Sequence, residues 1–215
     1  GDILIHAGDF TYSGRRDDVV EVNKWLGTLP HTHKVAVLGN HEKDGDWADA
    51  KDSCGTQMGV RIKELLTNCT LLINESVVLP IHVGNKMKRQ GCHVDTPSGT
   101  NDAADKSASV HVHVHGTDFW DNPKQGLPHL KTIPRHTHVL ITHNPAKGYL
   151  DNNAGCPSIL KHIKRVQPRL VVCGHIHEAH GVMSGKGSLK DTLFVNAANC
   201  DNGYEIGFGP VVVDM

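Results

Sequence analysis

Side chains that commonly bind metals follow short apolar runs at four places in the sequence. The runs are "IHAGD", "VAVLGN", "VLITH" and "VVCGH". The side chains at or just after their ends are Asp9, Asn40, His41, His143, His175 and His177. In an open α/β sheet the carboxyl ends of the strands open into one crevice, and glycine lets the backbone turn sharply there. We therefore expect these side chains to converge on one site.

The mixture of oxygen and nitrogen donors indicates a site for divalent metals. Carboxylate and amide oxygens combined with imidazoles suit Mn, Fe, Zn or a similar ion, and a set without thiolates argues against a structural cysteine-rich zinc site. A carboxylate such as Asp9 can bridge two cations. Two cations about 3.5–4 Å apart can clamp a phosphoryl group and generate hydroxide near neutral pH, which is the chemistry of phosphate-ester hydrolysis.

Each of these motifs has a simpler interpretation when it is taken alone. A Gly-Asp pair after a strand is usually a turn, and "GNHE" could be a turn followed by the start of a helix. Two imidazoles in "GHIH" that face the same way rarely serve packing. The hypothesis of a metal site therefore depends on the four strand ends taken together.

Short apolar runs alternate with amphipathic stretches along the chain. The strand candidates are residues 3–7, 34–38, 70–73, 76–79, 110–114, 138–142, 170–173, 192–195 and 211–214, and the helix candidates are 17–26, 60–66 and 158–166. This order predicts an α/β sandwich with mixed sheets. Residues 84–109 break the rhythm because much of this stretch is polar and small. We interpret them as a flexible surface insertion within a single domain of residues 1–215.

The composition argues against nucleic-acid and membrane partners and favours a cytoplasmic location. The 22 Lys and Arg residues nearly balance 23 Asp and Glu residues, so no overall field attracts a nucleic-acid polymer or an anionic membrane. No apolar run approaches the roughly 18 residues that a membrane span needs. The six cysteines are scattered without a C-x-x-C pair, which favours a reduced, cytoplasmic chain.

The 17 histidines are unusually many for 215 residues. "VHVHVHG" places His111, His113 and His115 on one face of a strand, which is either a metal-binding stripe or an exposed or half-covered face. His6, inside the first strand, is interpreted as a hydrogen-bonded core histidine. Asn196 in "VNAANC" could reach the substrate side of the cleft, although turn structure is its simpler role.

As a set, the motifs resemble the metallophosphoesterase (calcineurin-like phosphoesterase) superfamily. "GD", "GNHE", "TH" and "GHIH" occur in that order, and "GDILIHAGDFT", "THNPAKGYLD" and "VQPRLVVCGHIHEAHGV" look like its small MPPED-like branch. The resemblance covers nearly the whole chain apart from residues 84–109. It implies a four-layer α-β-β-α sandwich of mixed sheets with a site for two divalent metal ions.

The resemblance also implies a role for each motif residue. Asp9 would bridge the two metals, and His177 would belong to the first of them. The ligands that complete the second metal's shell would be Asn40, His143 and His175.

The catalytic and supporting roles follow from the same resemblance and from position in the sequence. His41 would lie beside the scissile phosphate, as a proton donor to the leaving oxygen or as a stabiliser of developing charge. Glu42 is expected to orient His41. Glu178 and His180 are expected to support the imidazoles of the His-x-His motif from outside.

The sequence departs from the superfamily pattern at its beginning. The superfamily carries an Asp-x-His motif that supplies two ligands of the first metal, and no such motif precedes Asp9. We therefore expect a sandwich without its first strand, with residues 3–7 as a second strand buried on both faces. The residues present are expected to bind one metal firmly, and a parent protein with the motif would bind two. The firm ligands would be Asp9, Asn40, His143 and His175.

Two functions are compatible with these observations. The first is metal-dependent hydrolysis of a phosphodiester, with a cyclic nucleotide as the natural candidate, or of a phosphomonoester. A bridging hydroxide would attack the phosphorus, and His41 would assist departure of the alcohol. The alternative is a degenerate single-metal protein that binds a nucleotide or acts as a scaffold, with little turnover. Both predict a small phosphate ester or nucleotide as the ligand.

Overall fold

The computed structural model describes residues 1–43, 56–82, 109–119 and 127–215, without the side chains of residues 56–60. The helices in these ranges are α1 (Arg16–Thr28), α2 (Asn40–Lys43), α3 (Thr56–Leu65) and α4 (Pro157–Val166). The strands are β1 (Ile3–His6), β2 (His33–Ala36), β3 (Thr70–Leu71), β4 (Glu75–His82), β5 (Ser109–Gly116), β6 (Val139–Ile141), β7 (Leu170–Cys173), β8 (Gly181–Ser184) and β9 (Leu193–Asn196).

The described strands form two sheets. Strands β1, β2 and β3 pair in that order, all parallel, with β1 at an edge. The second sheet has the order β4-β5-β6-β7-β9-β8. Its four central strands are parallel, and the edge strands β4 and β8 run antiparallel to their neighbours. The predicted mixed sheets are confirmed.

Three apolar clusters show how the elements stack. Val35 and Val172 belong to the cluster between the two sheets. Val171, the neighbour of Val172 in β7, points the other way and packs with Ile163 of α4, as the alternation of a strand requires. Val19 of α1 belongs to the cluster that covers the outer face of the three-stranded sheet. Helices therefore lie outside each sheet, which gives the predicted α-β-β-α order.

The structure corrects the prediction at both ends of the chain. The residues of β1 are half-buried at a sheet edge, so the expectation of burial on both faces is wrong. No strand forms at residues 211–214 of the described chain. Val211 and Val213 pack against the inter-sheet core and Val212 is 84% exposed, but no neighbouring strand pairs with them. A run of three valines therefore predicted a strand that does not form.

One strand was not predicted from the sequence, and the predicted insertion cannot be compared with the structure. Strand β8 was missed because it is short, starts with glycine and lies at a sheet edge. The insertion predicted at 84–109 lies outside the described residues, apart from Ser109, where β5 begins.

The described part of the chain contains free cysteines. Four cysteines there are free: Cys69, Cys156, Cys173 and Cys200. Burial raises the pKa of the Cys173 thiol to about 12. No helix in the described ranges is long and apolar enough to cross a bilayer. The cytoplasmic location stays a prediction.

The three histidines of β5 lie in different environments. His111 is exposed, and the ring of His113 lies 4.8 Å from that of His136, centroid to centroid. His115 is only 2% exposed, and its Nδ1 shares a 2.8 Å hydrogen bond with the Ser76 hydroxyl. The face is therefore neither uniformly exposed nor uniformly covered.

The burial of His115 should make folding stability depend on pH. Burial, followed by the nearby charge of His129, lowers the pKa of His115 from 6.5 to about 4. Between these values the unfolded chain takes up a proton that the folded chain refuses, so stability falls as the pH drops through this window. From pH 7 to pH 5 we expect a contribution of about 2 kcal/mol to this loss.

Urea unfolding of the wild type and of His115→Gln at pH 7 and pH 5 checks this expectation. The variant should lose about 2 kcal/mol less than the wild type over the interval. His111→Gln, on the same strand but exposed, is the matched control and should follow the wild type. An unchanged pH dependence in His115→Gln would exclude His115 as the source.

Candidate metal centre

The turn after β1 brings the Asp9 carboxylate to the end of β2. Gly8 and Asp9 both have left-handed backbones, with φ of +91° and +54°. This conformation is unusual for a residue with a side chain and is typical of strained functional sites. Gly39 lies so close that a Cβ there would be 2.0 Å from Asp9 Oδ1. A glycine at position 39 is therefore required for Asp9 to occupy this place.

The buried carboxylate of Glu42 holds this turn in position. Its Oε2 accepts hydrogen bonds from the N–H groups of Asp9 and Gly39, both at 2.8 Å, and its Oε1 accepts one from the Thr11 N–H at 2.9 Å. Burial raises the pKa of Glu42, against the effect of these N–H donors. Glu42 was predicted to orient His41. It instead fixes the backbone that carries Asp9.

A backbone hydrogen bond fixes the orientation of the His143 ring, which follows β6, with a proton on Nδ1. Its ring is 1% exposed, and its Nδ1 donates to the Ala7 carbonyl at 2.7 Å. In the neutral ring this leaves a lone pair on Nε2. Nε2 lies 3.0 Å from Asp9 Oδ2 and 3.0 Å from Asn40 Oδ1. Three atoms that can all donate electron pairs therefore converge at this point.

His175 at the end of β7 joins the same group. Its backbone is left-handed, with φ of +67°, and its Nδ1 lies 2.9 Å from Asn40 Oδ1. The ring centroids of His143 and His175 are 4.9 Å apart. Asn40, the first residue of α2, thus lies between the imidazoles of His143 and His175, which follow two strands of the other sheet.

These positions fit a metal cation. Asp9, His143 and His175 each offer a ligand atom, and these atoms all lie within 4.8 Å of one another. Burial opposes ionisation of Asp9, but the hydrogen bond and charge of a doubly protonated His143 ring and the His41 N–H outweigh it and lower the pKa of Asp9. An ionised carboxylate that faces lone pairs of nitrogen and oxygen needs a positive charge between them. A divalent ion or protonation of an imidazole supplies that charge.

His41 lies beside this group with its ring fixed from outside. Its N–H donates to Asp9 Oδ1 at 2.9 Å, and its Nδ1 donates to the Tyr12 carbonyl. Its Nε2 lies 4.0 Å from Asp9 Oδ2. The ring therefore presents Nε2 next to the carboxylate, where a bound phosphate could be reached.

The remaining predicted residues lie outside the three-residue ligand group, although His177 and Glu178 line a cleft that also contains Asp9. His177 lines the same cleft as Asp9, but its Nδ1 donates to the Asp201 carbonyl at 2.9 Å, and it is not part of the three-residue ligand group. Glu178 is exposed. His180 bonds the Ala198 carbonyl at 2.7 Å and stacks on Phe208. His177 of the His-x-His motif is instead fixed by the Asp201 carbonyl, and His175 Nδ1 lies 2.9 Å from Asn40 Oδ1, whereas the predicted support from Glu178 stays a prediction.

His6 and Asn196 also have positions that bear on the predictions. Burial, followed by the charge of His143, lowers the pKa of His6 to about 4, against the effect of a hydrogen bond with the Gly8 backbone. Its buried Nδ1 has no partner in the described chain, so the expected hydrogen bonding is met only in part. Asn196 is fully buried and donates to the Leu150 and Ile176 carbonyls at 3.2 and 2.9 Å. Asn196 therefore supports turns, including the one between His175 and His177.

Two clefts meet at the ligand group, since Asn40 and His175 line both. The larger, of about 440 Å³, is walled by Phe119, whose ring centroid lies 5.4 Å from that of His143. Phe119 is 4% exposed, and Lys43 binds its carbonyl and Asp118. The sequence offered no signal for Phe119, because it lies in no motif.

Comparison with known proteins connects this geometry to a family. The model of the calcineurin-like phosphoesterase family matches residues 1–179 of the chain. The chain belongs to this family. The resemblance expected from the motifs is therefore confirmed, and the chain is assigned to the metal-dependent phosphoesterases.

Relatives of this calcineurin-like phosphoesterase include a UPF0046 protein of Caenorhabditis elegans, 35% identical over 224 residues, which cover 99% of this chain and 67% of that protein. The human metallophosphoesterase domain-containing protein 1 is 31% identical over 238 residues, which cover 100% of this chain and 65% of that protein. The chain thus spans about two thirds of the length of these relatives.

The fold has a solved counterpart. The crystal structure of TT1561 from Thermus thermophilus superimposes with a TM-score of 0.55 at 12% identity, covering 92% of this chain and 77% of that one. At this identity the likeness supports the fold alone.

Proposed function

We propose that this protein hydrolyses small phosphate esters, with phosphodiesters such as cyclic nucleotides as the preferred class and phosphomonoesters as the second. The observation that carries the proposal is the convergence of Asp9 Oδ2, His143 Nε2 and Asn40 Oδ1, each about 3.0 Å from its neighbour in the set, beside the imidazole of His41. Family membership supports phosphate-ester hydrolysis as the reaction. The convergence of these atoms supports this cluster as the place where it occurs.

The proposed ligands of one firmly bound ion are Asp9, Asn40, His143 and His175. A second cation would bind more weakly in the smaller cleft, which Asp9 and His177 both line. Manganese, iron and zinc suit this donor set, and manganese is our first choice. Bound cations would neutralise phosphate charge and lower the pKa of a water molecule.

The residues of the chain have the following proposed tasks. Asp9 supplies negative charge that draws cations to the site, and Glu42 keeps its backbone in the left-handed turn. The His143 ring keeps its tautomer because Ala7 accepts the Nδ1 proton. With both ring nitrogens protonated, His41 would pass its Nε2 proton to the departing oxygen or stabilise charge there.

A test of this function combines an assay with a metal measurement. Purified protein is assayed on bis-p-nitrophenyl phosphate with manganese, iron or zinc, and His41→Ala is compared with the wild type. We expect turnover to fall about 100-fold in the variant, because general acid catalysis contributes at least that much. Metal content should persist, since alanine retains the N–H that bonds Asp9.

His111→Ala is the matched control because His111 is an exposed histidine of β5 outside both clefts. It should retain full turnover. Equal turnover in His41→Ala and the wild type would remove His41 from the mechanism. The absence of turnover with every cation would contradict the proposed hydrolase function.

The second candidate is a single-metal protein that binds a nucleotide without turning it over. The position of His177 outside the ligand group favours it, because the group then holds one cation. In that case AMP should bind to the manganese-loaded protein, and His41→Ala should leave its affinity unchanged to within about twofold, since no departing group needs a proton.

A further inference from the structure

Tyr204 lines the smaller cleft, and a second exposed tyrosine, Tyr12, lies beside it. Tyr12 is 73% and Tyr204 is 58% exposed, and their ring centroids are 6.1 Å apart at 76°. Tyr12 follows the Asp9 turn, and Tyr204 belongs to a turn near the end of the chain. Chain segments far apart in sequence therefore bring two aromatic rings together beside the ligand group.

The Tyr204 ring lies next to two imidazoles of the site, those of His41 and His177. Its centroid lies 5.3 Å from that of His177 at 84° and 6.3 Å from that of His41 at 73°. Tyr12 lies 5.8 Å from His41. The cleft that Tyr204 lines also contains Asp9. An aromatic surface thus adjoins both the imidazole expected to act on the phosphate and the metal-binding carboxylate.

Tyr204 has an energetically unfavourable backbone conformation. Its φ is +61°, a left-handed conformation that a residue with a side chain adopts only when its surroundings enforce it. The Asp201 carboxylate accepts from the Gly203 and Glu205 N–H groups at 2.7 and 3.1 Å. The Asp201 carbonyl accepts from Tyr204 N–H at 3.1 Å and from His177 Nδ1 at 2.9 Å. The turn is therefore tied to the site itself.

We infer that Tyr204, together with Tyr12, binds a planar ring attached to the substrate phosphate, an inference that depends on the proposed function. Aromatic rings attract one another through stacked or edge-to-face contacts, and exposed tyrosines offer such contacts at little entropic cost. The substrate class is therefore phosphate esters of aromatic or nucleoside groups, in preference to esters of short alkyl groups. Tyr204 acts in this scheme as a specificity-determining residue.

Calorimetric titration of the manganese-loaded full chain with phenylphosphonate and with methylphosphonate tests the inference. The two probes share the phosphonate group and differ only in the ring. In the wild type, phenylphosphonate should bind about fivefold more tightly, as one aromatic contact provides. In Tyr204→Ala this ratio should fall below about twofold, and in Tyr204→Phe, which keeps the ring, it should return to about fivefold.

Ile206→Ala is the matched control, because Ile206 is an 81% exposed residue of the same turn that does not line the cleft. Its ratio should equal that of the wild type. Equal affinity of the two probes in the wild type, or an unchanged ratio in Tyr204→Ala, overturns the inference and leaves the proposed function intact. Failure of both probes to bind would overturn the inference and also contradict phosphate binding at this centre.

Discussion

Asp9→Asn is expected to weaken manganese binding by more than about 100-fold, which exceeds the usual effect of removing a residue that only supports a ligand. Asp9 provides the one carboxylate of the described ligand group, so the substitution removes its formal negative charge. Asparagine has nearly the same shape and can still accept the His41 N–H bond. The loss should therefore come from charge and not from collapse of the turn, and hydrolysis should disappear with it.

The measurement is calorimetric titration of metal-free protein with manganese, together with the assay on bis-p-nitrophenyl phosphate. Asp2→Asn is the matched control, because Asp2 is exposed just before β1, and both affinity and turnover should be unchanged. The wild type should show one tight site and a weaker one. Two equally tight sites would contradict the assignment of the firm ligands, and an unchanged affinity in Asp9→Asn would exclude Asp9 from the site.

The position of each candidate ligand at the end of a strand was predictable because it depends on local sequence and one rule of topology. Apolar runs followed by a ligand-type residue identified the ends of β6 and β7 and the turns after β1 and β2, and parallel strands place such ends at one edge. Asp9, Asn40, His143 and His175 lie together in the structure. That the ends of two different sheets face one another depends on the packing of the sheets, which this rule does not cover.

The positions of supporting residues depend on contacts that the sequence does not display. Proximity in sequence suggested that Glu42 serves His41 and that His180 serves His177. The structure shows that Glu42 bonds the backbone of Asp9, 33 residues away, and that His180 bonds Ala198. These contacts arise from long-range packing, for which spacing along the chain is a poor guide.

The aromatic residues around the site illustrate the same limit. Tyr12 lies three positions after Asp9 and could have been suspected, but an exposed tyrosine is not distinctive in a sequence. Phe119 and Tyr204 reach the site from loops with no recognisable pattern. The polar turn around Asp201 gave no sign that its carbonyl would bond a histidine of the cleft.

Glu42→Ala is expected to destabilise the metal-free protein by about 4 kcal/mol, because it leaves buried donors without acceptors. Glu42 is fully buried and accepts from the N–H groups of Asp9, Thr11 and Gly39, and also from the Thr11 hydroxyl at 3.0 Å. Each unsatisfied buried donor costs about 1–3 kcal/mol. Urea unfolding in the presence of a chelator measures the effect without any contribution from bound metal.

Two control variants separate the hydrogen bonds of Glu42 from its charge. Glu178→Ala removes an exposed glutamate and should change stability by less than about 0.5 kcal/mol. Glu42→Gln keeps one acceptor oxygen but turns an amide donor toward N–H groups, so about half of the loss is expected, about 2 kcal/mol. If Glu42→Ala were no less stable than Glu178→Ala, the carboxylate would not be what holds the turn. The Asp9 turn would then be held by its other contact, the His41 N–H that donates to Asp9 Oδ1.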